Sequence, residues 1–139
     1  MEYQMEAIRE RQGESEKITI NLGYVDLGRI DLLVREGFYA NRSDFIRTAI
    51  RSRLDAEGQA VSGSILRQTL ELGLRDLNRA DLEQALAAGE RLSLRVVGLV
   101  RIAPEVSPEL AAATIDSITV LGALQASPSV KAALADRIR

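Results

Sequence analysis

Lys17, Thr19 and Asn21 stand at alternate positions of "EKITINL", residues 16–22, with Ile18, Ile20 and Leu22 between them. Successive side chains of an extended chain point to opposite faces, so one face presents an ammonium, a hydroxyl and a carboxamide while the other is apolar. These groups donate and accept hydrogen bonds. Their chemistry is recognition of another hydrogen-bonding surface. A second polar group follows at "NRSD": Asn41 is placed to cap a helix, and the backbone N–H groups of Arg42 and Ser43 would then open that helix as an anion site.

The remaining composition excludes most other chemistry. The 139 residues contain no His and no Cys, so imidazole or thiolate catalysis, a disulfide and a zinc site of the usual kind are all ruled out. No phosphate loop or metal-ligand spacing is present, and neither an enzyme nor a bound cofactor is expected. Glu105 and Asp116 could be taken as paired carboxylates, but they read as ordinary surface acids.

Positioning the alternate residues requires a strand, and "GYVDLGRIDLLVREG" after it has Val25, Ile30, Leu33 and Val34 at helical spacing, broadened by Leu27 and Leu32. Gly37 suits the left-handed cap that ends such a helix. A second helix starts at Asn41, with Asp44 three residues on to close a capping box, and carries Phe45, Ile46, Ala49, Ile50 and Leu54 as its buried stripe. A chain below about 40 residues seldom buries a core alone. Residues 17–54 are therefore expected as an obligate dimer, whose two strands pair as an antiparallel ribbon with the polar faces outward.

"KITINL" and "REGFYANRSDFIRTAIR" resemble the ribbon-helix-helix fold of bacterial DNA-binding proteins of the MetJ, Arc and CopG type. The likeness covers residues 17–54, and its most specific part is "NRSDFIR". It implies a ribbon in the major groove, with Lys17, Thr19 and Asn21 reading bases and Asn41, Arg42 and Ser43 at the phosphates. The side chains suit that role independently: Lys donates to guanine O6 and N7, Asn pairs bidentately with adenine, and Thr offers a hydroxyl and a methyl. Arg47, Arg51 and Arg53 read chiefly as a solvated helix face. Tyr39 is expected to pack in the turn.

Residues 55–64, "DAEGQAVSGS", read as a linker. Beyond it, "VVGLVRIAPEVSPELA" from Val96 aligns with "VLGALQASPSVKAALA" from Val120, matching Gly98 with Gly122 and Pro104 with Pro128. An earlier, degenerate unit places Leu72, Gly73 and Leu74 before Val97, Gly98 and Leu99, with a helix capped by Asn78 and Asp81. Residues 65–139 are thus expected to be a small solenoid-like domain of strand-turn-helix repeats, with open ends that favour oligomerisation. The fold class expected for the whole chain is α+β. Nickel-responsive regulators of the resembled family use His and Cys in a C-terminal domain, so metal sensing on that model is excluded.

Charge follows the same division. Residues 1–16 carry a net −3 and read as a flexible acidic arm, residues 17–54 a net +3, and residues 55–139 a net −2. The basic excess coincides with the segment expected to meet an anionic partner. No apolar run reaches the roughly 20 residues of a membrane helix, so a cytoplasmic bacterial protein, nucleoid-associated when bound, is expected with no membrane partner. The reading is a dimeric, sequence-specific repressor that binds double-stranded DNA and oligomerises through its C-terminal half. The alternatives are an antitoxin whose C-terminal half holds a protein partner, and an assembly protein that uses the ribbon only to dimerise.

Overall fold

Apolar residues at Val25, Leu27, Ile30, Leu33 and Val34 recur at helical spacing, and Tyr24–Arg35 form helix α1 in the computed structural model, which describes residues 14–139. The helix stops where expected. Gly37 takes φ 85°, its N–H donates to Val34 O, and the N–H of Phe38 donates to Leu33 O, satisfying carbonyls that the last turn leaves open. Helix α2, Arg42–Ala56, starts behind Asn41, whose side chain accepts from the N–H of Asp44. The capping box expected there is shifted by one residue: Asp44 Oδ2 accepts from the N–H of Ala40 at 2.9 Å instead of from Asn41. Tyr39 packs edge-on against Phe45, with ring centroids 5.0 Å apart.

The chain divides into two compact units at Ser62/Gly63. In the first, Ile30 is the only large apolar side chain of the described residues that is buried, and the stripe expected to be buried on α2 is half-buried at Phe45 and Ile46 and exposed at Ala49, Ile50 and Leu54. The antiparallel ribbon also does not form within one chain. Residues 15–23 carry no helix or strand assignment, and the strands that do form lie in the second unit and are parallel. The physical reason is shared: a ribbon needs two strands, and one strand with two helices has too little surface to enclose its own apolar side chains.

The segment expected as a linker, 55–64, contains the boundary between the two units but is largely helical. Helix α2 runs through Ala56 and helix α3 occupies Gly58–Gln68. Gly58 lies at the first position of α3, where it interrupts no helix, and Gly63 costs only about 1 kcal/mol relative to alanine within it. Part of the acidic arm, residues 1–13, lies outside the described residues; Glu14, Ser15 and Glu16 are exposed.

In the second unit three strands alternate with helices: β1 Glu71–Leu77, α4 Arg79–Ala87, β2 Leu92–Ile102, α5 Pro108–Thr114, β3 Ile115–Gln125 and α6 Pro128–Ala133. The strands form one parallel sheet in the order β1-β2-β3. Asn78 and Asp81 make a reciprocal capping box at α4, while Ser107 and Ser127 cap α5 and α6, each with Pro at the first helical position. One sheet face, bearing Leu77, Leu94, Val96, Val100, Ile102 and Ile118, packs with Leu82, Ala111, Val130 and Leu134 into a continuous aliphatic core. The hydroxyl of buried Thr114 donates to Leu110 O at 2.7 Å, so the core carries no unsatisfied polar side chain there.

The residues matched by sequence offset are neighbours in space. Gly73 pairs in register with Gly98, and Gly98 with Gly122, at φ 130°, 139° and 126°. Val106 and Val130, also matched by the offset, are both buried. The helices depart from it: α5 starts at Pro108, four residues after Pro104, whereas α6 starts at Pro128 itself.

Candidate functional site

Residues 15–23 run as an unassigned segment into α1, and Lys17, Thr19 and Asn21 are all exposed along it. Lys17 makes no ion pair among the described residues. The alternating apolar row is exposed too, Ile18 at 72 %, Ile20 at 55 % and Leu22 at 41 %. Three alternate aliphatic residues left in water forgo roughly 1.5–3 kcal/mol each of burial. Polar and apolar side chains alternate along this segment, and both sets are exposed.

The second group, Asn41, Arg42 and Ser43, sits at the start of α2 and is likewise exposed. The carboxamide of Asn41 is engaged in capping, with Asp44 N–H donating to Oδ1 at 2.8 Å. Helix geometry leaves the N–H groups of Arg42 and Ser43, its first two residues, without intrahelical acceptors. Two outward N–H groups beside the positive end of the helix dipole suit an anion.

The guanidinium of Arg42 is differently placed than its sequence position implied. Nε and Nη2 donate to Asp31 Oδ1 and Oδ2, both at 2.8 Å, a bidentate pair that ties α1 to α2. Hydrogen bonding from Arg42 holds the Asp31 carboxyl below the usual aspartate value, and the same bonds push Arg42 up. The charge is therefore offset locally, and any anion at this helix end meets the backbone N–H groups more directly than it meets the side chain. Asp31 was not singled out by sequence reasoning. It stands outside the spacing of either motif, and only the turn between the helices brings it to Arg42.

Other cations sort by their partners. Arg53 pairs with Glu57 at 2.7 Å and Arg29 approaches Asp26 at 3.7 Å, whereas Arg35, Arg47 and Arg51 have no ion pair among the described residues. In the second unit, Asp116 pairs with Arg91 at 3.4 Å, which accounts for it as a surface acid. A recess of about 330 Å³ between β1, α4 and the start of β2 is lined by Arg75, Asp76, Asp81 and Glu90 among others. No cluster among the described residues could hold a metal ion, and no described helix is long and apolar enough to cross a membrane.

A family model described as the ribbon-helix-helix transcriptional regulator family matches residues 13–131, which include the alternating segment, both helices after it and nearly all of the parallel sheet unit. No curated protein and no solved structure matches the chain.

Proposed function

The chain belongs to the ribbon-helix-helix transcriptional regulator family, and from that premise we propose that it is a homodimeric repressor that reads the major groove with Lys17, Thr19 and Asn21. The observation that carries this is the exposure of Ile18, Ile20 and Leu22, which alternate with those three residues along the chain. Pairing of two such segments as an antiparallel ribbon covers the apolar row on the helices of both chains, together with the exposed Ile50 and Leu54. It also sets six polar side chains on one outer face, a width that a β-ribbon presents to the groove.

Within that arrangement the N–H groups of Arg42 and Ser43 take a DNA phosphate and fix register, while Asn41 shapes the helix start. Arg35, Arg47 and Arg51 add long-range attraction to the duplex. The second unit acts as an oligomerisation module of solenoid-like character, which lets dimers on tandem half-sites reinforce one another. Its aliphatic core supports this over an antitoxin role, because antitoxin tails of that kind are usually disordered until bound.

The test is binding of the wild type and of a Lys17→Ala, Thr19→Ala, Asn21→Ala variant to a genomic fragment library at two salt concentrations, with dimerisation checked. The expected variant remains dimeric, loses sequence selection and keeps weak, salt-sensitive binding. Absence of selection by the wild type would overturn the regulator reading and leave an assembly protein.

A further inference from the structure

The two outer edges of the parallel sheet are complementary to each other. Each internal joint brings glycine against glycine: a Cβ on Gly98 would collide with the carbonyl oxygen of Gly73, and a Cβ on Gly122 with that of Gly98. Gly73, with the same positive φ, would meet nothing. The space that a preceding strand would fill is open at β1, and the carbonyl of Gly122 faces the other open edge at β3.

From this we propose that the second unit assembles head to tail, the free edge of β1 in one copy pairing in parallel with the free edge of β3 in the next, with Gly73 beside Gly122. The proposal rests on the reading of this unit as an oligomerisation module and specifies the surfaces it uses.

The register has room. At β3 the final residues occupy the edge only at Ile118, which donates to Arg137 O and accepts from the N–H of Arg139. Setting Gly73 beside Gly122 puts Glu71 beside Val120 and Leu77 beside Ala126, clear of Ile118. Unpaired backbone on both edges would then be satisfied.

Side chains agree with the backbone. On the sheet face away from the helices, Leu72 is 71 % exposed and Leu121 58 %, while Leu99 on the central strand, with a strand on each side, is 9 % exposed. The joint sets Leu121 next to the neighbour's Leu72 and Ala123 next to its Leu74, giving edge leucines the flanking that Leu99 already has. Charge favours the same polarity. Residues 71–90 at the β1 end carry a net −3, including Asp76, Asp81 and Glu90, and residues 115–139 at the β3 end carry a net +1, with Lys131 and Arg139 outside any ion pair of the described residues. No like charges meet along the joint, since Glu71 lies beside Val120, Arg75 beside Leu124 and Asp76 beside Gln125. An antiparallel pairing of two β1 edges about Gly73 and Leu74 would set Glu71 against Asp76 at both ends.

Because the natural chain has no cysteine, the joint is readable by disulfide trapping. Full-length Leu72→Cys and Leu121→Cys variants, one carrying a mass tag, are mixed and mildly oxidised, with Leu86→Cys on α4 as an exposed control. The expected product is the mixed 72–121 dimer, several-fold above either homodimer and above products of the control. A dominant 72–72 product, or equal yields throughout, would overturn the proposal. The mass of the wild type across concentrations, compared with Leu72→Lys and Leu121→Lys, separates the levels of failure. If the wild type never exceeds a dimer, the oligomerisation reading itself falls. If it does exceed a dimer but neither lysine reduces it and 72–121 does not form, the edge assignment alone falls. Both lysine variants reverting to a dimer supports it.

Discussion

Arg42 and Asp31 meet through two parallel 2.8 Å hydrogen bonds that tie the start of α2 to the middle of α1, eleven residues earlier in the chain. The pair is exposed on both sides, so its role is to orient the two helices more than to add bulk stability. That orientation decides where the start of α2 points. The carboxylate competes with any phosphate for the same guanidinium, which sets up two measurable consequences.

The first is acid sensitivity. Hydrogen bonds from Arg42 hold the Asp31 carboxyl below its ordinary value of 3.8. A depressed folded-state value stabilises above the unfolded value, and that stabilisation is lost as pH falls through the folded value. Asp31→Asn is therefore expected to be less stable than the wild type near neutral pH, with the difference vanishing in acid below the aspartate range. All three tyrosines precede Ser62 and the chain has no Trp, so tyrosine fluorescence during urea unfolding reports on the first unit alone.

The second concerns salt. Removing the carboxylate frees the guanidinium beside a helix end proposed to hold phosphate. Asp31→Asn should therefore bind DNA with a steeper slope of log affinity against log salt, by about 0.9 for each further phosphate that the freed guanidinium neutralises. Arg42→Ala should weaken binding to all sequences alike and leave selection intact. An unchanged slope in Asp31→Asn would place the side chain away from the phosphates.

Ile20 lies between Thr19 and Asn21 and is 55 % exposed in one chain. Burial in a ribbon makes it intolerant of charge, because an unpaired buried carboxylate costs several kcal/mol. Ile20→Asp is expected to abolish dimerisation at micromolar concentration and to lower helicity in the first unit, measured by light scattering and circular dichroism. Retention of the dimer would mean that this row faces solvent.

Gly98 and Gly73 share a positive φ but differ in surroundings. Within one chain, alanine at Gly73 meets only the backbone strain, about 1–3 kcal/mol. At Gly98 it meets the same strain and the carbonyl of Gly73, on the central strand. Gly98→Ala is expected to unfold the second unit or to lower its midpoint far more than Gly73→Ala, as followed by far-UV circular dichroism. Equal effects at a concentration where the chain is no larger than a dimer would show that φ alone requires these glycines.

The sequence by itself determined the local elements of this protein. Helical spacing from Val25, the stop at Gly37 and the caps at Asn41 and Asn78 are properties of neighbouring residues, and each is legible because backbone geometry sets its period, whereas the strand that alternation at 17–22 predicts is not assigned within one chain. The offset between the glycine-bearing segments is legible for the same reason, since in-register strands repeat their side-chain environment. Helix α3 was hidden because its glycines and serines resemble a linker, although two glycines cost a helix little when one sits at its first position.

Only the tertiary structure decided what those elements meet. It paired Arg42 with Asp31, set the strands parallel in the order β1-β2-β3, brought Gly73, Gly98 and Gly122 into one row, and left Ile18, Ile20, Ile50 and Leu54 uncovered. The physical reason is that burial and charge pairing are sums over groups distant in the chain, whereas periodicity is a sum over neighbours. A face can be recognised as apolar from its spacing; the surface that covers it belongs to the folded assembly.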